Sequence, residues 1–132
     1  PDLPYDEYMA SYKAVADAYG LHMVMLVTPE TDEERIQLID RNTDGFIYMV
    51  SSAGTTGVRS DFRVQQAYFD RVAAMNLRNP CMIGFGISNR ATYEAAASHA
   101  AGAIVGSKFV LLLDEMPSPS EAVEALLATL KR

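Results

Sequence analysis

Phe46-Ile47-Tyr48-Met49-Val50-Ser51-Ser52-Ala53-Gly54-Thr55-Thr56-Gly57-Val58-Arg59-Ser60 is the stretch whose reading decides the fold. It opens as an apolar run, Phe46 to Val50, rich in β-branched and aromatic side chains, then breaks into small hydroxyl residues and the glycines Gly54 and Gly57. A strand that ends in such a loop and leads into a helix is half of a βαβ unit. Glycine there permits positive φ or lets a ligand approach bare backbone. Shorter copies of the switch follow at Met82–Ser88 and Ala103–Ser107. Any one corner is explained by ordinary turn chemistry. Repeated on neighbouring parallel strands, the corners line one rim of a sheet and turn N–H groups toward a common point, which suits an anion such as phosphate. None matches G-x-x-x-x-G-K-[ST] or G-x-G-x-x-G, so no nucleotide fingerprint is present.

The 132 residues suffice for one unit with a genuine core. A net charge of -6 argues against nucleic acid and against anionic membrane surfaces, both of which demand clustered Lys and Arg. Cys81 is the single cysteine, so no disulfide framework or cysteine-based metal site is expected, and a cytoplasmic location fits. No apolar run reaches membrane-spanning length. The opening Pro1-Asp2-Leu3-Pro4 reads as the turn after a strand, as in a piece of a longer chain.

Working outward, Tyr5–Tyr19 places Tyr8, Tyr12, Val15 and Tyr19 at helical spacing, and Gly20 supplies the stop. His22–Val27 is a buried strand. Thr31 and Glu34 have capping-box spacing for a helix that buries Ile36 and Ile39. After Phe46–Val50, Asp61 caps a helix with Val64, Ala67, Tyr68, Val72 and Met75 on one face. Cys81–Phe85 is the third strand, and Ser88 or Asn89 caps an alanine-rich helix. Ala103–Val105 is the fourth strand, with Ser107 capping a short helix. Ser118, Pro119 and Glu121 open the last helix, whose stripe is Val123, Leu126, Leu127 and Leu130. Four βα units with strands this apolar predict a parallel sheet with outer helices, a total too small to close a (β/α)₈ TIM barrel and just half of one.

FIYMVSSAGTTG (46–57), GFGIS (84–88) and GAIVGS (102–107), in that order and spacing, resemble the second half of the tryptophan synthase alpha chain family. The likeness covers residues 1–132 as a single C-terminal half-barrel. It implies a lyase barrel that splits indole-3-glycerol phosphate into indole and glyceraldehyde 3-phosphate in tryptophan biosynthesis. It further implies that Gly57, Gly86, Gly106 and Ser107 hold the substrate phosphate, that Phe85 borders the indole pocket, and that Tyr48 and Thr56 support the reaction centre. Pyridoxal phosphate would belong to a partner beta subunit and not to this chain. One departure is Ser52, where the family often has arginine.

The family's catalytic glutamate and aspartate belong to the first half of the barrel, and nothing here matches them. The resemblance therefore predicts binding groups without the acid/base pair that cleavage needs. His22 and His99 are isolated and read as structural, and Lys108, the basic residue beside the phosphate corner, reads as solvent-facing. Two alternatives stand beside this reading: another phosphate-binding barrel enzyme, and a non-enzymatic half-barrel that assembles. A half-barrel exposes sheet edges and an inner face, with Met23, Met25, Ile47 and Met49 as candidates to line it, so self-association is expected.

Overall fold

A computed structural model describes residues 3–51, 62–84 and 86–131. The strands β1 (Met25–Val27), β2 (Ile47–Val50), β3 (Cys81–Gly84) and β4 (Gly102–Ile104) form one sheet in the order β1-β2-β3-β4, every pair parallel. Between and around them run α1 (Tyr5–Glu7), a π-helical turn (Tyr8–Tyr12), α2 (Lys13–Ala18), α3 (Glu33–Asn42), α4 (Phe62–Ala74), α5 (Arg90–Ala97), α6 (Ser107–Glu115) and α7 (Pro119–Lys131). Consecutive parallel strands joined by helices are what the spacing of apolar runs predicted.

The core lies between sheet and helices. Met25, Val27, Ile47, Met49 and Ile83 point from the sheet into it, and Tyr8, Ile36, Ile39, Tyr68, Val72 and Ala96 meet them from the helices. Alternation then leaves Leu26, Tyr48, Val50 and Met82 half-buried on the other, inner face. The expectation for the inner face was thus one residue out of phase. Met25, Ile47 and Met49 are buried against helices, and Met23 packs at the margin of the same core. In a strand a shift of one residue exchanges the two faces completely.

The first helical stretch departs from its expected stripe for a physical reason. Tyr8 is buried, but Tyr12, Val15 and Tyr19 are 47%, 53% and 78% exposed, and Ala16 takes the core position instead. The π-turn at Tyr8–Tyr12 inserts one extra residue into the helical repeat and rotates everything after it. Gly20, at φ +64, closes the stretch: its N–H donates to Asp17 O and the Leu21 N–H to Ala16 O, a Schellman ending.

Helix starts show the same mixture. Asp32, not Thr31, caps α3, accepting the Arg35 N–H at 2.7 Å on Oδ1. Thr31 instead accepts the Thr28 N–H at 2.9 Å, tightening the turn before the helix. Asn89 and Thr92 form a reciprocal capping box on α5. Ser107 is the first residue of α6 and Gly106 its cap, so no side chain caps that helix. The Glu121 N–H donates to Ser118 Oγ at 3.3 Å at the start of α7. The stripe of α7 is shifted too: Ala122 is buried while Val123 and Leu127 are exposed. The Asp61 cap falls outside the described residues.

At the N-terminal ends of the strands sits a polar knot that sequence reading passed over. The buried Asp40 carboxylate accepts the Arg78 and Asn79 N–H groups, each at 2.8 Å, and Asn79 Nδ2 at 3.0 Å. Arg78 Nη2 donates to the Asp40 and Thr43 carbonyls and pairs with Asp44 at 3.1 Å. This knot ties α3 to the entrance of β3, on the end of the sheet that in such folds carries stability.

Candidate functional site at the carboxyl ends of the strands

Val50, Gly84 and Ile104 stand in one row across the sheet, since Val50 pairs with Gly84 and Gly84 with Ile104. The loops leaving β2, β3 and β4 therefore depart from a common level. Gly86 and Gly106 each lie two residues beyond that row. In parallel α/β sheets this rim is where ligands bind.

A cleft of about 320 Å³ opens there, lined by Tyr48, Gly86, Ile87, Ser88, Ile104, Gly106, Ser107, Lys108 and Leu111. The fold thus brings Tyr48, Gly86, Gly106 and Ser107 together from three separate corners. Thr56, Gly57, Phe85 and the departure at Ser52 lie outside the described residues. Gly86 holds φ +74, a left-handed conformation that side-chain-bearing residues rarely adopt. Gly106 has open space where a Cβ would stand. With no side chain capping α6, and with the Phe109 and Val110 N–H groups donating to Gly106 O, the Ser107 and Lys108 N–H groups are the ones its start turns toward another acceptor.

Tyr48 enters the cleft from the inner face of β2. A Cβ added at Gly84 would fall on its ring and hydroxyl, so the glycine provides the room in which the phenol lies. Met82 occupies the corresponding space over Gly102. Burial pushes the Tyr48 phenol above its ordinary value, which keeps it protonated and able to donate at neutral pH. At the root of the β2 loop, Ser51 is buried and its Oγ donates to Gly84 O at 2.9 Å, fastening the loop to β3.

Lys108 was expected in solvent, yet it is half-buried and lines the cleft. Its signal in the sequence was a cation in the first turn of a helix with no acidic residue beside it. His22 is exposed, and His99 Nδ1 lies 3.2 Å from Asp70 on the helical layer. Among the described residues no three His, Cys, Asp or Glu side chains could hold a metal ion, and no helix is long and apolar enough to cross a membrane.

The family model for the tryptophan synthase alpha chain matches residues 1–132. The chain belongs to the tryptophan synthase alpha chain family. It is 62% identical over 133 aligned positions to the tryptophan synthase alpha chain of Parabacteroides distasonis, covering 100% of this chain and 52% of that one. The alpha chain of Bacteroides thetaiotaomicron is 56% identical, over 99% of this chain and 52% of the relative. Among solved structures, tryptophan synthase subunit alpha from Legionella pneumophila superposes with a TM-score of 0.79 at 28% identity, over 98% of this chain and 48% of that one. A chain of the Pyrococcus furiosus tryptophan synthase α2β2 complex superposes with a TM-score of 0.73 at 32% identity, over 98% and 52%. The chain spans about half the length of the curated relatives it matches. Within tryptophan synthase alpha chains, the four parallel strands described above correspond to half of the barrel.

Proposed function

We propose that this chain forms the phosphate-gripping side of a lyase site that cleaves indole-3-glycerol phosphate to indole and glyceraldehyde 3-phosphate. The observation that carries the reading is the cleft itself, where Gly86 at positive φ, Gly106 and the uncapped start of α6 converge from separate strand ends. Backbone amides at a helix start suit a dianionic phosphate by geometry and by partial charge. Gly57 would complete the cradle from the β2 loop. Phe85 would border the indole, and Thr56 would act from the loop on the reaction centre.

Tyr48, held neutral beside the same cleft, would orient the reacting end of the substrate through a hydrogen bond from its phenol O–H. The acid and base that move protons at the indole ring and the glycerol hydroxyl would come from the other half of the barrel. A beta subunit carrying pyridoxal phosphate would consume the indole, this chain itself using no cofactor. The 132 residues by themselves would bind the phosphate and leave the carbon–carbon bond intact.

The test is calorimetric titration of the full-length protein with indole-3-glycerol phosphate, comparing wild type with Gly106→Val. Gly106 has ordinary negative φ and open space for a Cβ, so the variant keeps the fold while filling the cleft with a side chain. Binding at least about tenfold weaker is expected, the loss of one charge-assisted contact. Unchanged affinity would remove the cradle from the reading. Indole release by the purified 132 residues would show that their own groups suffice for cleavage.

A further inference from the structure

Lys108 stands where helix electrostatics argues against a cation. It is the second residue of α6, at the end of the helix dipole that favours negative charge. Three helices follow the rule, α1 with Asp6 and Glu7, α3 with Glu33 and Glu34 and α7 with Glu121 in the first turn, whereas α4 carries Arg63 as its second residue. Where α5 opens with Arg90, Glu94 one turn on holds its guanidinium at 2.6 Å. One turn on from Lys108 are Leu111 and Leu112, and among the described residues no carboxylate pairs with it.

The other cations described are spoken for or distant. Lys13, Arg35, Arg78 and Arg90 pair with carboxylates, and Arg71 donates to the Thr31 and Pro29 carbonyls. Arg41 is exposed near the C-terminal end of α3, toward the opposite end of the sheet. Lys108 alone among the described basic residues lines the cleft. A local rule broken at a candidate site, without a compensating contact, points to function.

We propose that Lys108 is the charge-selecting residue of the cradle, its ammonium neutralising a phosphate dianion that the backbone amides position. The inference rests on the phosphate reading of the cleft and adds to it a source of selectivity. Amides alone are neutral donors, whereas an ammonium on a flexible stem supplies a full charge that follows a terminal phosphoryl group. In a chain of net charge -6, a dianion is repelled at long range, and a local cation offsets that repulsion.

The experiment titrates the full-length protein with glycerol 3-phosphate at low and high salt, using wild type, Lys108→Met, Lys108→Arg and Gly106→Val. Indole, which has no phosphate, serves as the uncharged probe. Lys108→Met is expected to weaken glycerol 3-phosphate about tenfold at low salt, flatten its salt dependence and leave indole affinity unchanged. Lys108→Arg should keep most of the affinity. If Lys108→Met matches wild type at both salts while Gly106→Val loses binding, Lys108 faces solvent and the proposal is overturned with the cradle intact. If both variants bind as wild type does, the cradle fails and this proposal with it. Equal loss of indole and glycerol 3-phosphate in Lys108→Met would mean a distorted pocket and would also overturn charge selection.

Discussion

The ring of Tyr48 lies in the space that a side chain at Gly84 would need. Tyr48 pairs in register with Met82 and leans two residues along β3 to reach the glycine. The diagonal neighbour on a strand is within reach of an aromatic ring, and here a missing Cβ is the condition for that reach.

Gly84→Ala is therefore expected to push the phenol out of its place and to cost about 1–3 kcal/mol, the usual range for overpacking. The companion change Tyr48→Ala should relieve the clash. Urea unfolding of both single variants and the double variant measures the coupling, and additive effects would mean that the two positions do not compete for space. Gly84→Ala should also lower turnover in the full-length protein although Tyr48 is still present.

Asp40 is expected to matter for folding and not for the ligand. Its carboxylate satisfies two backbone N–H groups and the Asn79 amide at the far end of the strands from the cleft. Asp40→Ala leaves buried donors without acceptors and should cost about 3 kcal/mol. Asp40→Asn keeps one acceptor oxygen and should cost less. Chemical unfolding gives the stability change; a fall in phosphate affinity of the folded variant would contradict the separation of the two ends.

Alkaline pH should weaken the fold before the tyrosines ionise. Burial, with a smaller contribution from the Asp40 charge, pushes the Cys81 thiol up from 9.0 to about 11. The unfolded thiol then loses its proton first, so stability is complete below about pH 9 and is lost as pH rises through the folded value near 11. Tyr48 and Tyr68, both raised by burial, add to the decline above their ordinary 10.0. Unfolding measured from pH 8 to 11 should show this slope, and Cys81→Ala should remove the part that begins near pH 9. A flat profile in wild type would sink the prediction.

Expressed alone, the 132 residues should self-associate. The accessible surface is 8419 Å², against about 6,900 Å² for a folded monomer of 14.5 kDa. Tyr12, Val15, Tyr19 and Leu21 are exposed toward the β1 end, and Val110, Leu111, Val123 and Leu127 toward the β4 end. With β1 and β4 as the outer strands of the sheet, a two-fold pairing would cover edges and inner face together. Sedimentation velocity at micromolar concentration should show a dimer; a monomer stable to dilution, without aggregate, would rule it out.

The sequence by itself determined the strand count and the parallel order, because short apolar runs alternating with helical patterns admit few other topologies. It also marked Gly86, Gly106 and Ser107, whose residue types at strand exits carry local conformational information. The tertiary structure alone decided which face of each strand points inward. Met25, Ile47 and Met49 are as apolar as their neighbours, and with a period of two only helix packing sets the phase. It alone revealed the π-turn that swaps Val15 for Ala16 in the core, since an extra residue in a helical repeat leaves no compositional trace. Asp40 and Lys108 show the same limit. A charged residue in sequence reads as solvated, and only folding shows that Asp40 is buried among backbone donors and that Lys108 lines a cleft.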